Sequence, residues 1–191
     1  MTLYGKVVIL GEERSMKRTV ENTTIHIGRK MTFKTSRVLD GSNESIIDYV
    51  DCRLGSVAVV AVDKHGKIVL EKNRRYPVGN RIVIEIPAGH LKYGEDPSEC
   101  AKREIEEETG YVTESIRNIG WAYSSPGHSN EIIQLFFATL RSKGKSKLQP
   151  GEDIKLLRMT VGEVLNLLIE GKLHDMKTIA GILISRELGL V

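Results

Sequence analysis

Residues 96–111, DPSECAKREIEEETGY, constrain this chain more than any other stretch. The segment carries the ends of a helix. Asp96 suits the N-cap, Pro97 the first helical position and Glu99 the capping-box position, and Gly110 can close the C-terminus. Between those ends stand Glu104, Glu106, Glu107 and Glu108. Like charges three and four residues apart cost a helix roughly 0.2–0.5 kcal/mol per pair. At about 100° per residue, Glu104, Glu107 and Glu108 share one side, within an arc of roughly 100°. Glu99, Lys102 and Glu106 point away, and Ala101 and Ile105 form a narrow apolar stripe beside Glu108. A run of glutamates is ordinarily a solvated face. These three border the buried side instead, where crowding is costly unless a cation neutralises them. Hard divalent cations take oxygen ligands, so Mg2+ or Mn2+ is the expected partner.

The rest of the chain reads as strands, this one helix, more strands, then helices. That order predicts an α+β fold rather than regular βαβ alternation. Residues 1–50 hold short β-like runs, KVVIL, TTIHIG and MTFKTSRVL, separated by turn signals. Alone they bury little, so this N-terminal β region is expected to pack on the remainder, residues 51–191, or on a second subunit. SVAVVAV (56–62) is apolar throughout, as in a strand buried on both faces. A turn with Gly66 returns the chain into IVLEKNRRY (68–76), which predicts a hairpin. RIVIEIPAG (81–89), IRNIGWAYSS (116–125) and EIIQLFFATL (131–140) are further strands. Trp121 and Phe33 read as core residues. Helices are expected at about 160–171 and 175–188, after a polar linker at 141–153.

Composition narrows the function. The formal charge of +3 suits an anionic ligand but is too small to indicate nucleic acid. Two cysteines, Cys52 and Cys100, make no disulfide framework. No signal-peptide pattern stands at the N-terminus, and no run approaches the ~18 apolar residues of a membrane span. These features predict a soluble, cytoplasmic protein without a membrane partner.

The window around the helix carries a family resemblance. Gly89, Glu95, Arg103, Glu104, Glu107, Glu108 and Gly110 fall at the fixed positions of the Nudix box, GX5EX7REUXEEXGU, which the segment resembles. Tyr111 departs from the aliphatic last position while remaining bulky. At roughly 7% per position, a coincidence of seven has odds of about one in 10⁸ per window. The resemblance implies a Nudix fold, a mixed sheet between helices with a loop–helix–loop metal site. It also implies an enzyme that hydrolyses nucleoside diphosphates linked to another moiety. By position, Glu104, Glu107 and Glu108 become metal ligands. Arg103 and Glu95 become supports that orient them.

Outside the box, RRYPVGNRIVIEIPAGH resembles the ADP-ribose pyrophosphatase branch. There the carbonyl at the Ala88 position joins the metal shell, and Arg75 faces phosphate. Glu85 stands between substrate hydrogen bonding and a structural ion pair. Pro126 lies sixteen residues after Gly110, near the branch's marker distance, and SPGHSNE resembles the segment ending in a catalytic glutamate, here Glu131. The expected catalytic set is thus Glu131, Glu107 and Arg103, the expected substrate contacts Arg75 and Glu85. The branch implies a homodimer whose N-terminal β region is exchanged between subunits and helps to bind adenine. ADP-ribose would give AMP and ribose 5-phosphate. GDP-mannose or UDP-glucose remain alternative substrates, and a non-catalytic nucleotide-binding module is a further reading that the intact glutamate set disfavours. The modest charge likewise disfavours an RNA-end decapping enzyme.

Overall fold

The computed structural model describes residues 18–28, 31–52, 54–148 and 153–191. KVVIL lies outside them. The described N-terminal residues form β1 (Arg18–Ile27), β2 (Thr32–Asp40) and β3 (Asn43–Asp51), an antiparallel sheet in that order.

The second sheet contains β4 (Ser56–Val62), β5 (Ile68–Arg75), β6 (Arg81–Glu85), β7 (Ala88–His90), β8 (Tyr111–Tyr123), β9 (Ile132–Lys143) and β10 (Ile154–Met159). Its main order is β10-β5-β4-β9-β8, with β6 paired to β5 and β7 to β4. The β4–β9 pair is parallel and the others antiparallel, so the sheet is mixed. The 56–62 and 68–76 runs form the expected hairpin, turning at Gly66 with φ 72°. β10 was not legible as a strand, because its six residues follow directly on a polar stretch.

The apolar run in β4 serves two cores. Val57, Val59 and Ala61 pack with Cys100, Ala101 and Ile105 from the acidic helix. Ala58 and Val60 pack on the other face with Val164 of α2 (Val161–Ile169) and Ile182 of α3 (Met176–Glu187). Fully burying one such Val or Ile contributes about 1.5–3 kcal/mol. Gly181 lets α3 approach closely, since a Cβ there would stand 3.0 Å from Val60 Cγ2. The sheet therefore lies between α1 (Pro97–Glu104) on one side and α2 with α3 on the other. No helix among the described residues is long and apolar enough to cross a membrane.

Two expected core aromatics stand on the surface. Trp121 is 55% exposed and packs edge-on against Tyr123, their ring centroids 5.4 Å apart. β8 ends the main strand path, so its apolar residues gain no cover from a further strand. Phe33 is 40% exposed on the N-terminal sheet.

Candidate active site

The acidic segment begins as expected. Asp96 accepts hydrogen bonds from the Ser98 and Glu99 amides at 2.8 and 3.3 Å. Glu99 does not complete a capping box; its carboxylate accepts from Lys102 at 2.7 Å. The regular helix ends at Glu104, and Ile105–Thr109 continue as a π turn rather than the plain helix expected to residue 109. Such wider turns change where successive side chains point, and they recur at functional sites. Here Glu104, Ile105, Glu108 and Thr109 are buried while Glu106 is exposed. Gly110 closes the segment at φ 75°.

Arg103 is the hub. Its Nε and Nη2 donate to the two carboxylate oxygens of Glu95 at 2.7 and 2.9 Å. Nη1 donates to Glu104 at 2.6 Å and to Glu107 at 3.3 Å, and Nη2 also reaches the His90 carbonyl at 3.2 Å. The hydrogen bond from Arg103 holds the Glu95 carboxyl down to about 2. Gly89 makes room for the Glu104 carboxylate: a Cβ at residue 89 would lie 2.1 Å from Glu104 Cδ.

A second carboxylate group lies beside the first. Glu108 accepts from the Ala88 amide at 3.0 Å. Glu71, on β5, is 1% exposed and its Oε1 has no hydrogen-bond partner. Burial and the neighbouring charge of Glu85 push its carboxyl up to about 8, against a hydrogen bond with Glu108. Glu85, its cross-strand partner, accepts both arms of Arg75 at 2.8 and 2.6 Å. Lys177 Nζ adds a bond to Glu85 at 2.7 Å and one to Asp175 at 2.9 Å. Burial would raise the Glu85 carboxyl, but Arg75 and Lys177 outweigh it and hold it below its usual value.

Glu131 reaches the same cleft from loop 124–131. Its carboxylate accepts from Ser56 Oγ at 2.8 Å, and its amide donates to Ser129 Oγ at 3.0 Å. One cleft of about 1350 Å³ is lined by Arg75, Ala88, Arg103, Glu104, Glu108 and Glu131, together with Ile27, Met31 and Thr32 of the N-terminal segment. Glu107 and Glu85 join this group through Arg103 and Arg75. Every residue expected to carry the chemistry thus lines this cleft or is hydrogen-bonded to one that does.

The donors suit a hard cation. They are carboxylates, two of them buried, beside a glycine cradle and an orphaned carboxylate oxygen at Glu71. The described residues form no ready cluster of three or more metal-binding side chains, and Arg103 supplies the countercharge to Glu104 and Glu107. A cation would take over, at Glu104 and Glu107, charge that the Arg103 guanidinium now neutralises.

Several members were not legible beforehand. Lys177 carried no local signal, being 92 residues from Glu85. Glu71 carried no motif of its own; only the fold brings it against Glu85 and Glu108. The bonds that Ser56 and Asn130 make to Glu131 and residues 51–52 span 75 to 79 residues of chain and left no local mark.

A family model described as NUDIX domain matches residues 53–180. The ADP-ribose pyrophosphatase of Bacillus subtilis (strain 168) is 40% identical over 126 residues, covering 65% of this chain and 68% of that protein. The methanol dehydrogenase activator of Bacillus methanolicus is 33% identical over 168 residues, 87% of this chain and 90% of that one. A GDP-mannose pyrophosphatase of Yersinia enterocolitica is 30% identical over 179 residues, 86% and 93%. A solved structure described as an ADP compounds hydrolase superimposes with a TM-score of 0.79 over 92% of this chain and 97% of its own, at 16% identity, a likeness of fold.

Proposed function

The chain belongs to the Nudix family, and from that premise we propose that it hydrolyses the pyrophosphate of ADP-ribose to AMP and ribose 5-phosphate with Mg2+ or Mn2+. The observation that carries the reading is the shared cleft, where the Glu104, Glu108 and Glu131 carboxylates meet Arg75. The 40% identity to a bacterial ADP-ribose pyrophosphatase supports the choice of substrate. The GDP-mannose pyrophosphatase relative keeps a different nucleoside diphosphate sugar as the second reading.

Glu104, Glu107, Glu108 and the Ala88 carbonyl would hold the divalent ions. When bound, such ions neutralise charge developing on the pyrophosphate and acidify water. The chain's own groups do the rest. Arg103 keeps Glu104 and Glu107 oriented, and Glu95 keeps Arg103 in place. Arg75 presents a planar guanidinium at the cleft, suited to phosphate oxygens; Glu85 fixes its plane. Glu131 accepts the proton of the attacking water, released for that task from Ser56 as the loop closes on substrate.

A hydrolysis screen of nucleoside diphosphate sugars with Mg2+ tests this. AMP and ribose 5-phosphate from ADP-ribose, with loss of activity in chelator, are expected. Preference for GDP-mannose or UDP-glucose would move the substrate, and full activity after exhaustive metal removal would sink the carboxylate reading.

A further inference from the structure

The loop carrying Glu131 is fastened to one short stretch of chain, residues 50–52, where the N-terminal sheet hands over to β4. The Val50 amide donates to the His128 carbonyl at 2.8 Å, and Val50 and Ser129 form a parallel bridge. Asn130 uses both ends of its carboxamide on consecutive residues. Its Oδ1 accepts from the Cys52 amide at 2.8 Å, and its Nδ2 donates to Asp51 Oδ1 at 2.7 Å. Asp51 is 6% exposed and is ion-paired with Lys34 of β2. The loop between Ser124 and Asn130 is otherwise open: Ser125, Pro126, Gly127 and His128 are exposed. Beyond the bonds of Glu131 itself, to Ser56 Oγ, Ser129 Oγ and the Ser124 amide, the nearest side-chain tie from the loop to residues 50–52 is Asn130.

We propose that Asn130 is a positioning residue, clasping residues 51–52 so that the adjacent Glu131 is held over the cleft. Residues 51–52, where the N-terminal sheet joins β4, then bear on the chemical step through Asn130. The residue type fits the task. A carboxamide offers an acceptor to Cys52 and a donor to Asp51 from two separate atoms held in one plane. An aspartate would lose the donor and face the Asp51 charge, and an alanine would lose both bonds. This inference rests on the reading of Glu131 as the proton acceptor.

A double-mutant cycle on the full-length protein, with ADP-ribose and Mg2+ at saturation, tests it. Asn130→Ala is expected to lower kcat about ten- to a hundredfold, the scale of a misplaced catalytic group, with KM changed less than about threefold. Asn130→Asp, which keeps the size, should lose kcat as well. In a Glu131→Gln background, Asn130→Ala should cost nothing further. An unchanged kcat in Asn130→Ala would overturn the clasp, as would a loss that multiplies fully with that of Glu131→Gln. An unchanged kcat in Glu131→Gln alone would overturn the Glu131 assignment, and the clasp with it.

Discussion

Glu71 puts a carboxylate in the least accommodating part of the sheet. It is buried on β5 opposite Glu85, against Glu108, with one oxygen unbonded. An unsatisfied buried polar group costs about 1–3 kcal/mol. Because its carboxyl is raised to about 8, the folded chain keeps this proton after the unfolded chain has lost it. Stability contributed by the group therefore falls as pH rises from the ordinary carboxyl range to about 8, and is level above that. Glu71→Gln removes this titration. In chelator, its melting temperature should gain on the parent between pH 5 and 8 and run parallel beyond; a constant gap would contradict the burial argument. The motif glutamates predict differently. Glu107→Gln and Glu108→Gln should each lower kcat by roughly a hundredfold or more, since each takes charge from the cation's shell. Without metal neither should melt below the parent. Arg103 still has Glu95 and Glu104 when Glu107 is neutral, and a glutamine at 108 can keep a hydrogen bond with Glu71 and accept from the Ala88 amide. A large drop in chelator would make these glutamates structural. The box residues were legible because their spacing lies within one loop and one helix. Glu71, Lys177 and Asn130 were not, because what defines them is a partner up to 92 residues away.

At the scale of elements, two glycines of the same segment predict opposite outcomes. Gly89 faces the end of a flexible side chain, for a Cβ would strike the Glu104 carboxylate and not backbone. Gly89→Ala should leave the melting temperature within a few degrees while weakening Mn2+ binding in calorimetry and lowering kcat, because Glu104 must swing aside. Gly110 sits at φ +75°, and its Cβ would stand 2.8 Å from the Gly144 carbonyl and the Ser146 amide. Backbone cannot give way cheaply, so Gly110→Ala should cost about 1–3 kcal/mol in denaturant unfolding. Equal stability losses at both sites would show that the turn, not the carboxylate, is what Gly89 protects. The sequence marked this helix's start and stop but not its π turn. A period of 3.6 places Glu104, Glu107 and Glu108 together, whereas the wider turn buries Glu108 and leaves Glu107 half exposed. The sheet order was likewise beyond the hydrophobic pattern. A run such as IRNIGWAYSS looks the same whether its strand ends the sheet or crosses its middle, which is why Trp121 was misplaced.

For the whole molecule the open question is what covers the N-terminal sheet. Ile25, Ile27, Met31, Phe33, Ile46 and Ile47 are all between 40 and 73% exposed, an apolar share that a small sheet rarely leaves in water. Ile27 and Met31 also line the cleft, so whatever covers this sheet stands near the substrate. We expect a second copy of the chain in a C₂ dimer, each site then being bordered by both subunits. Scattering should give a mass near twice the single-chain 21.3 kDa. Deleting residues 1–45 removes β1, β2 and the start of β3 but keeps residues 50–52, to which Asn130 is bound. The truncated chain should therefore show a strongly raised KM for ADP-ribose, or aggregate through the surface left bare, while kcat in any folded fraction changes by less than about tenfold. Manganese binding should persist, because Arg103 and the glutamates it orients lie wholly within the second sheet and its helix. A monomeric mass for the full chain, together with an unchanged KM after truncation, would refute both the dimer and the shared site. An unchanged KM in a dimer would leave the sheet as an assembly surface alone.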